Sequence, residues 1–387
     1  MSRSVATTPP PGWAHRFLAW LRVGRAEPAR TARSSAARAT TGVAPPAPAA
    51  SGHPFDELIG DLLVPREADA TAAEPDDDAA TEAAAVEPLV AAALRVGDSS
   101  SSVFKPTVAR LAELLELGDL DFNQAVRLVT REPAVVATVL AAANSPLFRR
   151  GAAMTDIRAA ISALGLVDVR RLAIAVATRA LYEPDPAAAS HAERIRCQRD
   201  LHRTMTTAFA TAERCLRRGL ARQDEAYVAA MFLDVGRPLV RGVIGQLERS
   251  GRCAMLSPAA VERLCDRHHA EVGARMLVAW GLPPRVSALC QHHHAPSLPP
   301  ELDAPELHEA RLASGLVHLR IGAPATPALR DAVAALGLGL YELRALAAGL
   351  DDLATRASLI LGIPGEPAAW PAGPAAGRPV PGGALTA

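Results

Sequence analysis

From residue 103 to about residue 360, apolar positions recur every three to four residues, and nowhere there do they alternate every second residue. The first spacing lines one face of an α-helix, the second one face of a strand. "FKPTVARLAELLEL" carries Val108, Leu111, Leu114 and Leu115 at helical spacing. "DFNQAVRLVTREP" predicts a second helix, begun near Asp121 or Asn123 and ended by Pro133. "AVVATVLAAANSPLF" predicts a third, stopped at Asn144-Ser145-Pro146, whose side chains hydrogen-bond the turn. "TDIRAAISALG" is capped by Thr155 or Asp156 and closes at Gly165, and "LVDVRRLAIAVATRALY" follows as a fifth, its Arg170 and Arg171 read as solvated. Further helices are predicted over 191–218, 224–235, 258–280 and 284–294, then two or three more between 305 and 361. The expected fold is all-α.

Composition agrees with that pattern. Half the residues are apolar (49%) but only 4% are aromatic, so alanine and leucine must fill the core, which favours packed helices. The flanks read differently. Residues 1–50 form a basic, low-complexity arm in which Arg3, Arg16, Arg22, Arg25, Arg30, Arg33 and Arg38 face only Glu27. Within it, Trp13, Phe17, Trp20 and Leu21 would share one face of a short helix. Such a helix either docks on a membrane surface or partner, or frays as a tail; an isolated helix this short is marginal in water, which favours the tail. Residues 51–102 form an acidic, Ala/Pro-rich linker containing Asp76, Asp77 and Asp78, expected to be disordered, as is the Pro/Gly-rich tail 363–387. The folded unit is placed at 103–362.

Formal net charge is zero, so no global field points to nucleic acid or membrane, and the basic arm holds no recognisable nucleic-acid reading motif. No apolar run of the roughly 18 residues needed to span a bilayer is present. No secretory signal is visible, and the five cysteines are odd in number and scattered; the expected location is the cytoplasm. Cys265 with His268, and Cys290 with His292, superficially suggest zinc, but both pairs lie in helical patterns rather than in tight turns.

Five phrases carry a family resemblance: "REPAVVATVLAAANSPLF", "DIRAAISALGLVDVRRLAI", "AAMFLDVGRPLV", "HAEVGARMLVAWGLPPRVSALCQHHH" and the helices after them. Together, in order and spacing, they resemble the HDOD domain, a helical bacterial signalling module related to the HD phosphohydrolases. The resemblance implies a two-lobed helical domain whose C-terminal lobe is an HD-like bundle. It also implies a role in signalling or regulation with no established common substrate; the leading reading is a non-catalytic regulatory module that acts through contacts with a protein partner.

The HD relatives hold a divalent metal with a His-Asp pair and further histidines from other helices. Carried over residue by residue, the resemblance makes His202 the early histidine, Asp234 the aspartate, His269 the histidine before the Val-Gly step, and His292-His293 the later pair. Leu233 stands where the central histidine belongs, and Arg237 where hydrolytic relatives have lysine. A hydrolytic centre needs a well-fixed ligand shell to activate water, so the expectation is no hydrolysis, no catalytic residue, no bound metal and no cofactor. His202, Asp234, Arg237, His269, His292 and His293 remain candidates to line a cleft for a small anionic ligand. The alternative is a metal-dependent phosphohydrolase or cyclic-nucleotide phosphodiesterase that tolerates the missing histidine.

Overall fold

The computed structural model describes residues 77–96, 121–144, 153–184, 190–361, 363 and 365–368. The basic arm, the helix expected after residue 103, and the tail beyond residue 368 lie outside the described residues, as does the disorder expected of the two termini. Everything regular among the described residues is helical.

The N-terminal lobe contains α2 (Phe122–Thr130), α3 (Pro133–Ala143), α4 (Ile157–Leu164) and α5 (Leu166–Arg179). Asp121 caps α2 in a reciprocal capping box with Gln124. Pro133 does not end α2, as its position suggested, but opens α3, where a missing N–H costs nothing. Asn144 stops α3 and ties it to the following segment: its Nδ2 donates to the Leu140 and Met154 carbonyls, and its Oδ1 accepts from the Met154 N–H. Gly165, at φ 88°, makes the break between α4 and α5 in a conformation that disfavours any residue with a Cβ.

The C-terminal lobe is built around α6 (His191–Arg217), against which α7 (Gln223–Phe232), α11 (Pro305–Arg320) and α13 (Leu340–Leu361) pack. α8 (Gly236–Arg249), α9 (Pro258–Ala279) and α10 (Pro284–His292) form the other side, and α12 (Pro327–Leu336) packs on α11. One apolar cluster runs through both lobes, from Ala125 to Ile363. Arg171 of α5 is not solvated. It is buried at the lobe junction and pairs with Asp224 of α7 at 2.6 Å, while the Tyr227 hydroxyl donates to its carbonyl at 3.1 Å. Arg170 shares the same carboxylate at 2.6 Å.

The acidic linker needs a correction. Residues Asp77–Val96 form α1, a helix packed on α8 and α9. Composition suggested a solvated tether, but Ala79, Ala83, Val90 and Leu94 fall at helical spacing and are all buried. Asp77 and Asp78 sit in its first turn, where carboxylates favour the helix dipole. No single helix among the described residues is long and apolar enough to cross a membrane.

Candidate functional site

Asp234 lies in the three-residue corner between α7 and α8, and the corner is shaped by close backbone contact. A Cβ on Gly236 would lie 2.0 Å from the His269 carbonyl oxygen and 2.9 Å from the Gly273 nitrogen. A Cβ on Gly273 would in turn lie 2.9 Å from Cys290 Sγ. Glycine at both positions lets the start of α8 touch α9 backbone to backbone, and this brings Asp234 against His269.

Four side chains converge there. Asp234, His269, His293 and His294 each offer one ligand atom, and all four atoms lie within 4.8 Å of one another. Asp234 Oδ1 is 3.3 Å from His269 Nε2 and 3.8 Å from His293 Nε2. His269 Nε2 is 3.4 Å from His293 Nε2 and 3.1 Å from His294 Nε2. The far sides of two rings fix their tautomers. His269 Nδ1 donates to the Cys265 carbonyl at 2.8 Å, and His293 Nδ1 donates to the Cys290 carbonyl at 2.7 Å. Carbonyls only accept, so both Nδ1 atoms carry a proton, and a neutral ring held this way presents its Nε2 lone pair to the cluster.

Protonation states agree with this picture. Burial, joined by His293 and Arg237 and opposed by Asp234, pushes the His269 pKa down to about 4, so the ring is neutral at neutral pH. Burial also lowers the pKa of the His294 imidazole, with His293 adding to the effect, although the residue as a whole is exposed. Asp234 Oδ1 is buried and receives no hydrogen bond. An ionised oxygen without a donor, facing bare imidazole nitrogens, is costly unless a cation joins them.

The residues fit a metal. A tetrahedral shell with bonds of about 2.0–2.1 Å has donor–donor edges of about 3.3–3.4 Å, close to the 3.3, 3.4 and 3.1 Å separations here and shorter than the 3.8 Å from Asp234 to His293. Three imidazoles and one carboxylate suit zinc, iron or nickel better than magnesium or calcium. The expected absence of metal rested on Leu233, and this geometry assembles four donors without it.

The sequence-based candidates separate into two groups. Asp234, His269 and His293 are brought together, as the resemblance implied. His202 is not among them: it is buried on α6, bonded through Nε2 to the Ala354 carbonyl of α13 at 2.8 Å. His292 ends α10, half-buried and outside the cluster. Arg237 is committed to acidic partners, Asp266 at 2.7 Å and Glu262 at 2.9 Å, with Asp200 at 3.9 Å, so its guanidinium is not open to an anion. Leu233 is 1% exposed within the main core, and its carbonyl accepts from Cys290 Sγ at 3.3 Å. Neither Cys265 nor Cys290 belongs to the donor set, and burial pushes the Cys265 thiol up to about 12.

His294 was missed. Helical spacing points successive residues of "HHH" in different directions, but α10 stops at His292, and the turn after it carries His293 and His294 to one side. Arg311 of α11 holds that turn. Its guanidinium, 0% exposed, donates to the His293 carbonyl at 3.3 Å and to the Ala295 carbonyl, and it pairs with Asp331 at 2.5 Å. No signal in the sequence singled out Arg311.

Comparison with known proteins places the chain. No curated protein matches it. Among solved structures, an HDOD domain protein of unknown function from Geobacter sulfurreducens shares 20% identity at TM-score 0.50, over 66% of this chain and 91% of that one. A proposed metal-dependent phosphohydrolase from Shewanella amazonensis SB2B shares 18% identity at TM-score 0.52, over 70% of this chain and 98% of that one. Both likenesses concern the fold. The HDOD domain profile matches residues 103–296, half of the sequence, and stops before α11 to α13, although those helices complete the same bundle. The chain belongs to the HDOD domain family.

Proposed function

We infer that this chain is a regulatory HDOD module that acts through protein contacts and holds one divalent transition-metal ion, without hydrolysing a substrate there. The observation behind this reading is the cluster of Asp234, His269, His293 and His294, with its bare Nε2 lone pairs and its orphaned carboxylate oxygen. In such a set the metal supplies a fixed positive charge that satisfies the four donors and ties α9, α10 and the α7–α8 corner together.

The absence of hydrolysis is argued from the shell. Hydrolytic zinc sites keep one position open for water, whereas structural sites fill all four with protein donors. Here His294 supplies the fourth donor, and Arg237 is neutralised by carboxylates instead of awaiting a phosphate. The alternative, a metal-dependent phosphohydrolase or cyclic-nucleotide phosphodiesterase, would require the exposed His294 to leave the shell and admit water.

Elemental analysis of the dialysed full chain, run beside a hydrolysis screen of nucleotides and cyclic nucleotides, tests both halves. One equivalent of metal with no turnover supports the reading. Turnover lost in Asp234→Asn would establish the hydrolase instead, and no metal in any preparation would remove the site.

A further inference from the structure

α1 lies outside the stretch that matches the family, yet it is seated on the bundle. Its seat is a second apolar cluster, separate from the main core. Val240, Ile244 and Leu247 of α8 and Leu264 and Val272 of α9 meet Ala83, Val90 and Leu94 of α1. Because the two clusters are separate, lifting α1 would uncover the outer face of α8 and α9 without opening the core. The polar contacts are few and specific. Glu82 accepts from the Ser257 N–H at 2.9 Å and from the Ser257 hydroxyl, at the N-terminus of α9. Glu87 pairs with Arg267 and lies 3.8 Å from His268, and Arg275 donates to the Leu94 carbonyl at 3.3 Å.

α1 fills this seat incompletely. A cleft of about 440 Å³ remains between α1 and α9, with Ala80, Ala84 and Glu87 on one side and Leu264, Asp266 and Arg267 on the other. The alanines are short for the space they face. A helix with larger apolar side chains at those positions would bury more surface on the same face. The seat therefore specifies its occupant: an amphipathic helix with an i, i+4, i+7, i+11 apolar stripe and two acidic residues, one at the α9 N-terminus and one against Arg267.

We propose that the α8–α9 face is a docking surface for an acidic amphipathic helix of a partner protein, and that α1 is the resident helix such a partner displaces. This rests on the protein-contact part of the function inferred above and is independent of the metal site. Occupation of the seat by α1 lowers the apparent affinity of a competing helix in proportion to the fraction of molecules in which the seat is free.

The test uses the full chain and a labelled peptide of residues 77–96 carrying Ala80→Leu and Ala84→Leu, followed by fluorescence anisotropy. The peptide should bind the wild-type chain saturably and bind a Val90→Asp chain about 10–100-fold more tightly. A Val90→Asp/Arg267→Glu chain, whose seat is already free, should bind it more weakly than Val90→Asp alone. Hydrogen exchange on the wild-type chain supplies an independent readout: α1 amides should exchange by local opening, well ahead of those of α6. The same binding in EDTA separates this outcome from the fate of the metal reading. The proposal is overturned by a peptide that binds neither chain, by affinity unchanged in Val90→Asp, by affinity equal in Val90→Asp and Val90→Asp/Arg267→Glu, or by α1 amides that exchange only with α6. It is equally overturned if Val90→Asp unfolds the whole chain, since α1 would then be part of the core.

Discussion

At the scale of single residues, the substitution at Leu233 matters less than its neighbours do. Leu233 is packed in the core, so Leu233→His would bury an imidazole among apolar side chains. It should cost about 2–4 kcal/mol in a denaturant titration and leave metal stoichiometry unchanged. Arg311 acts through the carbonyls on either side of His294. Arg311→Lys keeps the charge but loses the planar fork, and groups that orient ligands are typically worth 10–100-fold in affinity. A drop of about that size in metal affinity, with the helical circular dichroism unchanged, is the expected result. Asp168 of α5 gives a pH signature away from the metal. Burial raises its pKa from 3.8 to about 6, against the lowering effect of Arg171. The folded state thus holds the proton longer than the unfolded state. The stability linked to this group is fully present below about pH 4 and is lost as pH rises through about 6. Asp168→Asn should therefore stabilise the chain by about 1–3 kcal/mol above pH 6, and the gain should vanish toward pH 4 in pH-dependent unfolding.

At the scale of elements, the site depends on two helices touching at glycines. Gly236→Ala would force a methyl group into the His269 carbonyl, a backbone atom that no side-chain rotation can relieve. α8 and α9 must separate, at a cost of about 1–3 kcal/mol or more, and Asp234 moves away from His269 with them. Chemical denaturation and metal titration of this variant should both show the loss. The helices themselves were legible in the sequence, because apolar periodicity survives any tertiary arrangement. α1 was overlooked for a physical reason of the opposite kind. Its alanine-rich stretch, opened by two of three consecutive aspartates, has the composition of a disordered tether, and only the apolar seat on α8 and α9 makes its stripe worth burying.

At the scale of the molecule, the donors come from the α7–α8 corner, α9 and the turn after α10, so a bound metal joins segments that are distant in sequence. An ion that binds only the folded state stabilises it by about 2.7 kcal/mol at a hundredfold excess over its dissociation constant. For a domain of this size that is about 5–10 °C in melting temperature. Thermal scans with added zinc should rise by about that amount over scans in EDTA, and Asp234→Asn should abolish the difference.

The sequence by itself determined the all-helical fold, the family, and three of the four clustered donors, because helical spacing and the order of motifs are written along the chain. It also singled out Leu233 as the residue beside Asp234 on which the expectation about metal turned. Tertiary structure decided the rest. Whether His202 faces the site or the α13 backbone depends on how α6 and α13 pack, and whether Arg237 is open or neutralised depends on where α9 places Glu262 and Asp266. His294 enters the cluster because a helix ends two residues earlier than its pattern predicts, and Arg311 reaches the turn after it from a helix that follows in the chain. Such contacts arise between elements, and no local pattern encodes the distance between two helices.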